Sequence, residues 1–133
     1  MTGMDLFMVT IVVPDMNDAI AHYLDDWGFA LHIDSRHISG HRWVVIDPGK
    51  GAKLRLVEAS TDAHRAAIGN QAGGRVAFFL NLDDFDATVS NWADKGIEVV
   101  ESERREDYGR LIVVRDRYGN RWDVFDAAVS TSS

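Results

Sequence analysis

Apolar and polar positions alternate along most of this chain, and the alternation changes period in an ordered way. Residues 7–13 form a β-rich apolar run stopped by Pro14, with Val9, Ile11 and Val13 on one face and Met8, Thr10 and Val12 on the other. Asp15 can cap a helix, and Met16, Ile20, Tyr23, Leu24 and Trp27 then recur at helical spacing until Gly28 stops it. Residues 29–35, 42–47 and 53–58 read as strands. In the last of these, Lys53, Arg55 and Val57 share one face, and Leu54, Leu56 and Glu58 the other. The first half is therefore a β-α-β-β-β unit.

Residues 61–74 are polar and rich in Ala and Gly, and read as a connector that is partly helical at best. A second apolar strand follows at 75–82. A helix at 83–95 carries Phe85, Val89 and Trp92 and ends at Gly96; a strand spans 97–101 and a charged loop 102–107. The chain closes on a hairpin: strand 110–115, a tight turn at 116–120 where Gly119 and Asn120 tolerate positive φ, and strand 121–125. In the last strand Asp123 faces away from the surface that Trp122 and Val124 bury.

The two halves repeat. A shift of 68 residues carries Asp18-Ala19 onto Asp86-Ala87, Gly28 onto Gly96, Arg42 onto Arg110 and Leu54-Arg55-Leu56 onto Trp122-Asp123-Val124. The first strands need a shift of 69, which matches Val9, Ile11 and Val13 to Phe78, Leu80 and Leu82. The expected fold is α+β: two tandem βαβββ repeats, about 7–58 and 75–126 around a connector at 59–74, forming a curved mixed sheet around a cleft. Clefts of this kind are common ligand sites.

Composition narrows the function. The chain has 133 residues, 46% of them hydrophobic, which is enough for a core without disulfides. It has no cysteine, which excludes thiolate chemistry and implies a reducing, cytoplasmic setting. A net charge of −7 argues against nucleic acid and anionic membranes as partners. We find no apolar run long enough to span a bilayer and no signal peptide. Gly-rich phosphate loops, serine nucleophile elbows and CxxC motifs are also missing.

Several stretches resemble the vicinal oxygen chelate superfamily, the glyoxalase / bleomycin resistance protein / dioxygenase group. They are Val12-Val-Pro-Asp-Met-Asn-Asp-Ala19 with Tyr23 and Gly28-Phe29, Arg42-Trp-Val-Val-Ile46, Asp83-Asp-Phe-Asp-Ala87, Tyr108-Gly-Arg110 and Asp116-Arg-Tyr-Gly-Asn-Arg-Trp-Asp123. Arg117 replaces the proline usual in the last motif. The resemblance implies a divalent-metal site with one ligand from the first and last strand of each repeat. Carried onto this sequence, those positions are Met8, Arg55, Ala77 and Asp123, of which only Asp123 can ligate. A guanidinium at roughly 5 Å from a cation opposes it by several kcal/mol at intermediate dielectric. The inherited metal site reads as dismantled, so we expect no metal and no other cofactor.

The resemblance then implies a metal-independent protein that sequesters a hydrophobic, aromatic small molecule in the cleft of a homodimer, of the antibiotic or natural-product resistance type. Trp43, Phe79 and Tyr108 would supply aromatic surface, Arg55, Asp123 and His37 polar contacts, and no residue is assigned a catalytic role. Arg55 and Asp123, at equivalent strands, would face each other across the cleft floor as an ion pair or as ligand contacts. The alternative is a glyoxalase- or dioxygenase-type metal-dependent lyase or oxidoreductase. Its rearranged site would use His37, His41 or Glu58 beside Asp123. A metal-free lyase or isomerase with Asp123 as base is a third reading. Trp27, Trp92 and Trp122 read as core, and His22 and His64 as solvated helix positions.

Overall fold

The alternation seen in the sequence decides which side of each strand is buried. The structure, a computed structural model, describes residues 3–36 and 40–127. The chain divides after Ile68 into two compact units.

In the first unit, β1 (Met8–Val13) is followed by α1 (Met16–Ala21), β2 (Ala30–Arg36), β3 (Arg42–Asp47), β4 (Lys53–Glu58) and α2 (Asp62–Ala67). The sheet order is β1-β4-β3-β2, with β1 parallel to β4 and the other pairs antiparallel. Ile11 and Val13 of β1, Val44 and Ile46 of β3, and Leu54 and Leu56 of β4 are buried on the face that α1 covers. Asp15 caps α1, its carboxylate accepting from the Asp18 amide at 2.9 Å.

The helix does not run on regularly to Trp27 as its spacing predicts. From His22 to Asp26 it widens to π winding, and the Trp27 amide bonds to the His22 carbonyl at 3.2 Å. Nor is His22 solvated. It is buried, its Nδ1 meets Asp26 at 2.8 Å, and its Nε2 accepts from the Trp27 indole at 3.1 Å. The wider turn lets His22, Tyr23 and Trp27 all face inward, where Tyr23 stacks on Phe29 with ring centroids 6.1 Å apart.

The second unit repeats the plan: β5 (Phe78–Leu82), α3 (Phe85–Asp94), β6 (Glu98–Glu106), β7 (Gly109–Arg115) and β8 (Arg121–Asp126), in the order β5-β8-β7-β6. The architecture is α+β, two tandem βαβββ repeats each built on a four-stranded mixed sheet. Register confirms the repeat residue by residue, since Val9↔Leu54 and Ile11↔Leu56 recur as Phe78↔Trp122 and Leu80↔Val124. Trp92 and Trp122 are core, as is Trp27.

Two departures from the sequence reading stand out here. Residues 102–106, expected as loop, extend β6, whose pairing with β7 is interrupted by shifts after Val99 and Glu101. An edge strand exposed on both sides carries no alternation to read, and its charges protect the edge. The α3 cap is Asp84, one residue later than the predicted helix start.

Arg42 and Arg110, equivalent in the repeat, clamp each helix to its sheet. Arg42 holds Asp34 in a two-pronged bond (2.9 and 2.8 Å) and reaches Asn17 of α1 at 2.7 Å. That bond holds the Asp34 carboxyl below its ordinary range. Arg110 bonds Asp126 at 2.9 Å and Asp86 of α3 at 3.0 Å, and its guanidinium lies 4.4 Å over the Phe85 ring.

Candidate functional site

Each sheet has one face covered by its helix and one that is not, and the sequence-predicted site residues that the structure describes sort onto the helix-free faces or the turn beside them. In the first unit, parallel pairing sets Met8 beside Lys53 and Thr10 beside Arg55, so all four share the side opposite Ile11 and Leu54. Antiparallel pairing adds Val45 beside Arg55, then Ile33 beside Val45 and Ser35 beside Trp43. Trp43 and Val45 are two apart on β3 and therefore face the same way. The Arg55 guanidinium carbon lies 4.3 Å from the centroid of the Trp43 indole. Both residues are half-buried, and the Arg55 Nε is buried without a hydrogen-bond partner.

In the second unit, Phe79 pairs with Asp123, and Val113 pairs with Asp123 from the other side. Phe125, two residues on from Asp123, shares that face. The Tyr108 ring, in the turn between β6 and β7, lies against it at 5.9 Å. Phe79 is 69% and Tyr108 53% exposed. Burial pushes the Asp123 carboxyl above its ordinary range; Arg104 opposes that shift and Glu101 adds to it. Hydrogen bonding to Tyr108 and to Glu106 raises the Arg104 pKa above its ordinary value.

The face thus gathers Phe79, Tyr108 and Asp123, and adds two residues that the sequence reading left out. Phe125 was legible from its i+2 spacing to Asp123. Arg104 was not, because it lies in the stretch read as a solvated loop. Of the alternative ligand set, Glu58 pairs with Val13 and lies on the helix side of its sheet, away from the Arg55 face. His41 is exposed, and His37 lies outside the described residues.

The residues at the inherited metal positions do not fit a divalent ion. A thioether (Met8), a guanidinium (Arg55), a methyl (Ala77) and one carboxylate (Asp123) provide a single good oxygen donor. Among the described residues no group of three or more His, Asp or Glu is placed to hold a metal.

Two βαβββ units with these features define the class. The chain belongs to the glyoxalase/bleomycin resistance protein/dioxygenase superfamily, whose sequence model matches residues 5–124. It is 40% identical over 119 residues to an uncharacterized protein of Shewanella frigidimarina (strain NCIMB 400), covering 87% of this chain and 88% of that one. Among solved structures it is similar to UcmS2, at TM-score 0.78 and 24% identity over 92% of this chain and 98% of that one. It is also similar to TnmS3, an antibiotic binding protein from Streptomyces sp. CB03234, at TM-score 0.74 and 23% identity over 95% of this chain and 98% of that one. Among the described residues no helix is long and apolar enough to cross a membrane.

Proposed function

We propose that this protein is a metal-independent binding protein that captures a hydrophobic, aromatic small molecule, acts as a homodimer and serves in antibiotic or natural-product resistance. The observation that carries the reading is the composition of the helix-free faces. They bear Trp43, Phe79, Tyr108 and Phe125, while three of the four inherited metal positions hold side chains that do not bind a divalent ion. Flat aromatic surface beside a few polar groups is what capture of an aromatic guest needs. The fold likeness to TnmS3, an antibiotic binding protein, supports the same reading. Arg55 in the first unit, and Asp123 with Tyr108 in the second, are the polar groups available to orient a guest, and the protein would release it unchanged. Mass action in the cytoplasm, which the cysteine-free sequence suits, would then lower the free concentration of the compound.

Thermal unfolding across a panel of aromatic antibiotics and divalent metals tests this. A ligand at one hundred times its dissociation constant should stabilise the fold by about 2.7 kcal/mol. The Trp43→Leu variant should lose most of that gain. Stoichiometric metal in the purified protein, with an activity removed by chelator, would instead favour a glyoxalase- or dioxygenase-type enzyme. Size-exclusion chromatography with light scattering checks the dimer.

A further inference from the structure

Arg55 is set apart from the other arginines that the structure ties down. Arg42, Arg104 and Arg110 each rest against carboxylates. Arg55 has no carboxylate within ion-pair distance among the described residues, although the chain carries 21 acidic residues against 14 Lys and Arg. Its Nε is buried and unpartnered. A buried donor on a charged group left without an acceptor is costly, and native proteins rarely keep one without a use. The Arg55 guanidinium carbon rests 4.3 Å from the centroid of the Trp43 indole. A guanidinium resting on a ring keeps its outer Nη–H groups for an acceptor such as a carboxylate. Lys53, two residues earlier on the same face, adds a second cation, partly offset by Asp47 at 4.0 Å.

We propose that the Arg55–Trp43 stack on the helix-free face of the first sheet is an anion subsite, so that the molecule captured is a planar aromatic acid. This rests on the aromatic-capture reading and narrows its ligand class. The oxyanion takes the outer Nη–H groups of Arg55, and the attached ring packs beside the guanidinium–indole contact. The guanidinium supplies fixed positive charge at one of the inherited metal positions.

Isothermal titration of the full chain with naphthoate and its neutral isostere naphthamide decides the matter. Naphthoate should bind at least tenfold tighter than naphthamide, as one charge-assisted bond implies. In Arg55→Gln that preference should vanish, and in Arg55→Lys part of it should return. Equal affinity of the two probes for the unaltered protein, or an acid preference that survives in folded Arg55→Gln, would overturn the anion subsite while leaving aromatic capture standing. No binding of either probe would overturn both.

Discussion

The indole nitrogen of Trp122 donates to the Asp116 carboxylate at 3.1 Å, and this bond joins the turn of the final hairpin to the core of the second sheet. Asp116 is buried and accepts three more bonds, from the amides of Tyr118 and Asn120 and from the Asn120 side chain, all at 3.0 Å. Replacing it with Ala strands several of these donors inside the protein. Each costs about 1–3 kcal/mol, so Asp116→Ala should lose about 2–4 kcal/mol after relaxation. Asp116→Asn, which keeps an acceptor oxygen, should lose less. Urea denaturation midpoints at constant m-value check the order.

Gly69 supports the same turn from outside. Its φ is +67°, and a Cβ there would land on the Tyr118 carbonyl oxygen, with the Gly119 Cα close by. Both neighbours are backbone, so neither can swing away. Left-handed strain and the steric conflict together set the cost of Gly69→Ala at about 2–4 kcal/mol. A loss much below 1 kcal/mol in the same denaturation assay would mean the loop moves freely off the turn.

Most of the fold was legible because one plan is written twice. The hydrophobic faces of β1, β4, β5 and β8 alternate cleanly, and a constant offset aligns the two copies. The misses have physical causes. The His22–Asp26 segment contains a histidine and two acids, and read as α-helix its polar side chains point to water. The π winding turns His22 inward, where Asp26 and Trp27 satisfy both ring nitrogens. In β6, residues such as Ser102 and Glu103 face solvent on an edge strand, so burial leaves no period to detect.

The His22 arrangement makes its own prediction. The Trp27 indole donates into Nε2, so that nitrogen carries no proton and Nδ1–H is the donor to Asp26. A His22→Leu variant fills the space but removes the Nε2 acceptor that the buried indole N–H uses. It should cost about 1–3 kcal/mol. Trp27→Phe removes the orphaned donor, so the double variant should be less unstable than the sum of the two single ones. Strict additivity would mean the bond contributes nothing.

The candidate site was only half legible, and the reason lies in what each residue's signal depends on. Arg55, Phe79 and Asp123 follow from strand parity and the repeat offset, whereas parity leaves Trp43 open because both faces of the strand at 42–47 are apolar. The contact of Arg55 with Trp43 depends on two strands being neighbours in the sheet, and the place of Arg104 depends on a hairpin that the sequence presents as loop.

Asp123 gives the test that reaches furthest into the site. Burial raises its carboxyl above the ordinary value, Arg104 pulls it back, and Glu101 pushes with burial. The folded chain therefore holds this proton to a higher pH than the unfolded chain does. Across that window the folded state binds more protons, so stability falls as pH rises through the folded pKa. At neutral pH the ionised, partly desolvated carboxylate is a standing penalty; below the ordinary carboxylate range it is gone. Asp123→Asn should thus raise the melting temperature at neutral pH, and the gain should shrink to nothing as the pH drops and the native acid becomes neutral too. Parallel thermal scans of both proteins from mildly acidic to neutral pH read this directly. A loss of stability at neutral pH would mean that Asp123 is held by a partner that favours its charge, and a pH-independent difference would mean that its ionisation is not coupled to folding.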